Sequence, residues 1–250
     1  MKKLFALTLA VVLCLSLSVT AFAGTLGEIT SMHDTVYPEG ESGKITTVVI
    51  GKTDSEGMLA LPKYKDAELL SAVAAKGTLI EAPKSAETGA TKYLLAQFAE
   101  KETEVELTLT WVQEETYKLG KAKMKDTAPG DFKAAAYSMT NTAPVKIGNY
   151  KLDMAVPQGY EMANIVDYDP EEDYSIYQNK GVKFGHHTFG ELAAGGKAKF
   201  AINIKKNVGA SVLVIWAVCI LISAFFLYKN RDMLRQAKEL DMQKKAKREA

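Results

Sequence analysis

Val208 to Tyr228, VGASVLVIWAVCILISAFFLY, is a run of twenty-one residues without a charged side chain. At about 1.5 Å of rise per residue a helix of this length spans roughly 31 Å, the thickness of a bilayer's hydrocarbon core. Such a segment divides its chain, with the residues before 208 on one side of a membrane and those after 228 on the other. A single-pass transmembrane helix over 208–228 is the first expectation.

The N-terminus supports the same topology. Lys2 and Lys3 form a basic lead, Leu4 to Val19 an apolar stretch, and Ala21-Phe22-Ala23 a small-x-small cleavage signal before Gly24. This is the layout of a cleaved secretory signal peptide over residues 1–23, compact in the bacterial manner. A first membrane helix is the rival reading, but the apolar run is short for one. A lipid attachment site fits worse, because Cys14 lies within the apolar stretch behind bulky Leu13.

Charge then orients the span. Residues 229–250 hold eight Lys/Arg against four acids, with Lys229 and Arg231 beside the apolar run, as expected of a short basic cytoplasmic tail. Residues 24–207 carry 21 lysines, no arginine and 26 acidic residues, a net charge of −5. An acidic stretch without arginine lacks the bidentate donors that read phosphates and bases, so no nucleic-acid partner is expected. The two cysteines, Cys14 and Cys219, both lie outside 24–207, which therefore has neither disulfide nor thiolate metal site.

Periodicity within 24–207 reads as strand. Thr103 to Thr116 alternates Val105, Leu107, Leu109 and Trp111 with Glu104, Glu106, Thr108 and Thr110, the pattern of an antiparallel strand with one wet face. Lys44 to Ile50, Met58 to Leu61, Thr91 to Ala99, Phe132 to Thr140, Tyr150 to Val156, Tyr160 to Val166, Asp173 to Gln178, Val182 to Phe184 and Lys197 to Ile204 are further strand candidates. Asp66 to Lys76 fits either helix or strand, with strand slightly preferred beside such neighbours. Gly24 to Gly43 reads as polar and turn-rich, and Gly185-His186-His187 as a turn. The expected fold is mainly β: an extracytoplasmic antiparallel, immunoglobulin-like β-sandwich, either one large or two small in tandem with a boundary at 118–131, plus one C-terminal transmembrane helix.

Candidate sites are few. Asp167, Asp169, Glu171 and Asp173 share one acidic loop suited to a hard cation such as Ca²⁺, although Pro170 stiffens it and no central glycine is present. A solvated acidic loop is the plainer account. Tyr160, Tyr168, Tyr174 and Tyr177 surround the same loop and could stack on sugar rings or contact a protein. Equally, tyrosine is common in strands. His186 and His187 with Glu191 offer nitrogen and oxygen ligands for a transition metal, but neighbouring residues on a strand point to opposite faces. The remaining histidine is His33.

No Gly-x-Ser-x-Gly elbow, phosphate loop or dinucleotide fingerprint occurs, so no catalytic residue and no cofactor are expected. The expected role is a non-catalytic, membrane-anchored binding or interaction module, with its N-terminal domain extracytoplasmic and its C-terminus cytoplasmic. Its partner would be a protein of a bacterial envelope or membrane complex. A glycan- or Ca²⁺-binding surface over 160–177 is the alternative, and metal handling through His186 and His187 the third reading.

Overall fold

A computed structural model describes residues 26–121, 132–166, 173–207, 210–233 and 235–236. The described chain is mainly β, with three sheets and one apolar C-terminal helix. The largest sheet has seven strands: β1 (Glu28–Glu39), β2 (Ser42–Lys52), β4 (Ala67–Lys76), β7 (Glu104–Gln113), β10 (Ile147–Ala155), β12 (Asp173–Asn179) and β13 (Val182–Leu192). They lie side by side in the order β12-β13-β10-β1-β2-β7-β4. A second sheet joins β11 (Tyr160–Ile165), β14 (Lys197–Lys206), β9 (Phe132–Thr140) and β8 (Gly120–Lys121); a third joins β3 (Met58–Leu61), β6 (Thr91–Gln97) and β5 (Lys84–Thr88).

Side-chain alternation explains how one core forms from three sheets. Val105, Leu107, Leu109 and Trp111 of β7 are buried, as are Ile45 and Val49 of β2 and Tyr150, Leu152 and Met154 of β10. Leu59 and Leu61 of β3 join them, together with Tyr137 and Met139 of β9 and Phe200, Ile202 and Ile204 of β14. The cluster is continuous, and side chains from before and after residues 118–131 share it. Residues 122–131 themselves lie outside the described residues. Trp111 anchors the cluster, its ring meeting Tyr64 edge-on at 4.9 Å.

The centre of the large sheet contains its one parallel pairing among the described strands. β1 runs parallel to β10, matching Thr35 with Asp153 and Asp34 with Leu152. β1 is antiparallel to β2, and β10 is antiparallel to β13, matching Asp153 with His186. Tyr117 ties the parallel pair together, its hydroxyl lying 2.7 Å from the Ala155 carbonyl and 3.0 Å from that of Val36.

Two segments differ from the expectation of their sequence. Residues 28–39, expected as turn-rich, form the long central strand β1. Met32 and Val36 are buried on one face, but a charged residue, Asp34, takes the core position between them and breaks the apolar alternation. Gly185-His186-His187, expected as a turn, lies inside β13. Gly185 suits this position, since a Cβ would lie 3.1 Å from both Ile202 and Phe200, a tight contact. The ambiguous segment 66–76 is the edge strand β4.

The apolar segment forms helix α1 (Ala210–Lys229). Val212–Lys229 has a mean hydropathy of 2.3 and is long and apolar enough to cross a membrane. The expected signal peptide over 1–23 and most of the tail over 229–250 lie outside the described residues.

Candidate functional site

Two polar networks flank the central strand β1, one on each face. The inner one is built around Asp34, whose side chain is fully buried. Thr47 of β2 donates to its Oδ1 at 2.7 Å, and the Tyr64 hydroxyl lies 2.7 Å from both Oδ1 and Oδ2. Tyr150 of β10 and Tyr137 of β9 donate to Oδ2 at 2.7 and 2.9 Å. Burial pushes the Asp34 carboxyl above the usual carboxylate range, and the hydrogen bonds from Tyr64, Thr47, Tyr150 and Tyr137 pull it only part of the way back. Burial and then the Asp34 charge push the Tyr64, Tyr137 and Tyr150 hydroxyls well above their ordinary value. All three therefore keep their protons and act as donors. The buried carboxylate thus joins strands of two sheets through its hydroxyl donors.

The outer network faces solvent. His33 of β1, Asp153 of β10 and His186 of β13 share the outer face of three adjacent strands. His33 Nε2 lies 2.7 Å from Asp153 Oδ2, and His186 Nδ1 lies 2.7 Å from Asp153 Oδ1. His186 Nε2 is 3.1 Å from Thr188 Oγ1. The Tyr177 hydroxyl of β12 also bonds to Asp153. Asp153 is nearly covered, with 5% of its side chain exposed, against 19% for His186 and 41% for His33. Burial raises the Asp153 carboxyl, but the bonds from His33, Tyr177 and His186 outweigh it and hold the group below the usual carboxylate range. Tyr37, Phe184 and Tyr177 form an aromatic wall beside the cluster, with ring centroids 5.6 and 5.2 Å apart.

This arrangement separates residues that are neighbours in sequence and unites residues that are far apart. His187 turns to the inner face, buried, with Tyr174 stacked on it at 4.0 Å and Phe189 edge-on at 4.0 Å. It cannot share an ion with His186 across the sheet. Glu191 forms a surface ion pair with Lys146 at 2.7 Å. In place of His187 and Glu191, the structure brings His33 and Asp153 to His186. The available sequence signal was the alternation of His33, Thr35 and Tyr37 on one face of β1, hidden while that segment read as loop.

The tyrosines do not form one platform. Tyr174 and Tyr177 leave β12 on opposite faces, the first against His187 and the second against Phe184. Tyr160 begins β11 and packs partly on the core. Asp173 is exposed at the start of β12. Asp167, Tyr168, Asp169 and Glu171 lie outside the described residues.

No known family profile matches the chain, and no curated protein sequence does. Among solved structures, an M1 zinc metallopeptidase from Deinococcus radiodurans aligns at 8% identity and a TM-score of 0.40, covering 73% of this chain and 43% of that one. A two-domain M1 zinc metallopeptidase bound to L-tryptophan aligns at 7% identity, with the same coverage and TM-score. The chain spans less than half the length of these structures.

Proposed function

We propose that the chain is a non-catalytic binding module tethered to a membrane by α1, acting as an accessory subunit of a bacterial envelope complex. The observation that carries this reading is the helix Ala210–Lys229, whose apolar window Val212–Lys229 is entirely exposed in the isolated chain and comes directly after the β region in sequence. Exposed apolar surface of that extent is stable only when lipid or protein covers it. On this reading the β region is an immunoglobulin-like β-sandwich, its seven-stranded sheet facing the two smaller ones. It is exported behind a cleaved signal, and the basic tail stays in the cytoplasm.

The Asp34 network also supports a non-catalytic role, because its perturbed groups build the core, Asp34 and Tyr150 fully buried and Tyr64 and Tyr137 nearly so. The test is alkaline carbonate extraction of native membranes, followed by protease treatment of intact spheroplasts and cross-linking. The chain is expected to remain in the membrane pellet, to lose its β region to external protease while the tail is spared, and to cross-link to a membrane protein in fixed stoichiometry. Release into the carbonate supernatant overturns the tether, and protection of the β region from external protease overturns the orientation. Recovery without a cross-linked partner overturns the accessory role.

A further inference from the structure

We infer that His33, Asp153 and His186 form a binding site for a divalent first-row transition ion on the outer face of the seven-stranded sheet. The inference stands apart from the membrane tether, since the residues lie wholly within the β region. Among the described residues this is the one group of three or more His, Cys, Asp or Glu whose ligand atoms converge, all lying within 4.8 Å of one another. Two imidazoles and a carboxylate are the donor set of borderline ions such as Zn²⁺, Cu²⁺, Ni²⁺ and Co²⁺, whereas Ca²⁺ and Mg²⁺ want oxygen alone.

The geometry is close to that needed. A tetrahedral ion bound at about 2.0–2.1 Å holds its ligand atoms roughly 3.3 Å apart. The two imidazole nitrogens now sit 2.7 Å from the Asp153 oxygens, so each contact must widen slightly. His33, with 41% of its side chain exposed, has the most room of the three to adjust. Asp153 is covered and is fixed by the ladder on both sides, opposite Thr35 on β1 and His186 on β13.

The surrounding groups can also support an ion in place of the protons now shared with Asp153. At 2.7 Å, an imidazole nitrogen facing a carboxylate oxygen needs either a proton or a cation between them. When His186 Nδ1 ligates an ion, its proton moves to Nε2, where the Thr188 hydroxyl is in place to accept it at 3.1 Å. A partner on the far ring nitrogen is the usual support of a metal-bound histidine. Tyr177 gives the carboxylate a comparable support. Three protein ligands leave a fourth coordination position of a tetrahedral ion open. The ion would rivet β1, β10 and β13 together and offer that position to an outside donor.

The experiment uses the full chain purified in mild detergent without a histidine tag, stripped with chelator, then titrated with Co²⁺ and Zn²⁺. The expected result is one equivalent bound, with visible Co²⁺ absorption that Zn²⁺ abolishes, and a melting midpoint that rises with Zn²⁺. His33→Ala and His186→Ala are each expected to weaken binding at least tenfold and to remove the Zn²⁺-dependent rise in melting. Glu191→Gln, which removes the carboxylate that sequence spacing alone would pair with His186, is expected to leave both unchanged. His33→Ala changes a half-exposed side chain and therefore tests the site even if the covered positions prove intolerant. Absence of binding at micromolar ion, or binding unchanged by His33→Ala, overturns the inference.

Discussion

Consecutive residues His33 and Asp34 send their side chains to opposite faces of the seven-stranded sheet, one to a solvent-facing cluster and the other to the centre of the core. A single strand thus serves two networks with different chemistry. The inner carboxylate is saturated by hydroxyl donors; the outer one, itself nearly covered, is shared by two imidazoles and Tyr177, with the His33 ring exposed beside it.

Asp34→Ala leaves the Tyr64, Tyr137 and Tyr150 hydroxyls buried around an empty position. It is expected to destabilise the β region by about 3–5 kcal/mol, because several buried hydroxyls lose their acceptor at once. Tyr150→Phe removes one of four donors and keeps the ring, so about 1–2 kcal/mol is expected. Urea midpoints of the detergent-solubilised chain, followed by the near-ultraviolet circular dichroism of buried aromatics, check both. A cost for Asp34→Ala no larger than that for Tyr150→Phe would contradict the account of a shared acceptor.

Gly57 closes the turn between β2 and β3 at φ +84°. Asp54 caps this turn, its Oδ1 accepting the amides of Glu56 and Met58 at 2.9 and 2.7 Å. A Cβ at Gly57 would strike the Phe98 carbonyl, which lies on fixed backbone. Gly57→Ala is expected to lower stability by roughly 2 kcal/mol or more through positive φ and the clash together. Gly89, also at positive φ (+61°) but with open space around it, supplies the control. Melting midpoints of the two alanine variants should separate clearly.

Glu100 clamps Thr78, accepting its amide at 2.8 Å and its hydroxyl at 2.9 Å. These bonds hold its carboxyl below the ordinary value of 4.5. A depressed carboxylate contributes stability that is present above the ordinary value and is lost as pH falls through the lowered one. The melting difference between wild type and Glu100→Gln should therefore be constant near neutrality and shrink below pH 4.5. A gap that widens on acidification would reverse the sign of the argument.

Cys219 lies mid-way along α1 and is exposed in the isolated chain. With Cys14 replaced by Ala, a charged maleimide should fail to label Cys219 in intact membranes and label it after solubilisation in denaturing detergent. Mass spectrometry of the whole chain reads the result, and rapid labelling in sealed membranes would place the helix outside the bilayer.

The strands with clean alternation were legible from sequence because every core position in them is apolar. β7, with Val105, Leu107, Leu109 and Trp111, is such a strand, and so is β14 with Phe200, Ile202 and Ile204. β1 was not legible, because Asp34 occupies a core position and Pro38 stands near its end. β13 was obscured by Gly185 and the paired histidines, residues that read as a turn until the facing Ile202 and Phe200 explain the glycine. The candidate site was hidden for a different reason. His33 and Asp153 are 120 positions apart, and His186 lies a further 33 along; only the strand order β13-β10-β1 makes them neighbours.

The parallel pairing of β1 with β10 has a consequence for how the chain matures. A polypeptide emerges from its N-terminus, so β1 is released early while its partner, beginning at Ile147, is still unmade. Until that partner arrives, the middle of the sheet keeps an open edge, and the Asp34 carboxylate waits without Tyr137 and Tyr150. Closure over so long a separation is slow, and open sheet edges invite association. The interval between release of β1 and docking of β10 is therefore when the sheet's central edge and the Asp34 position stand open together.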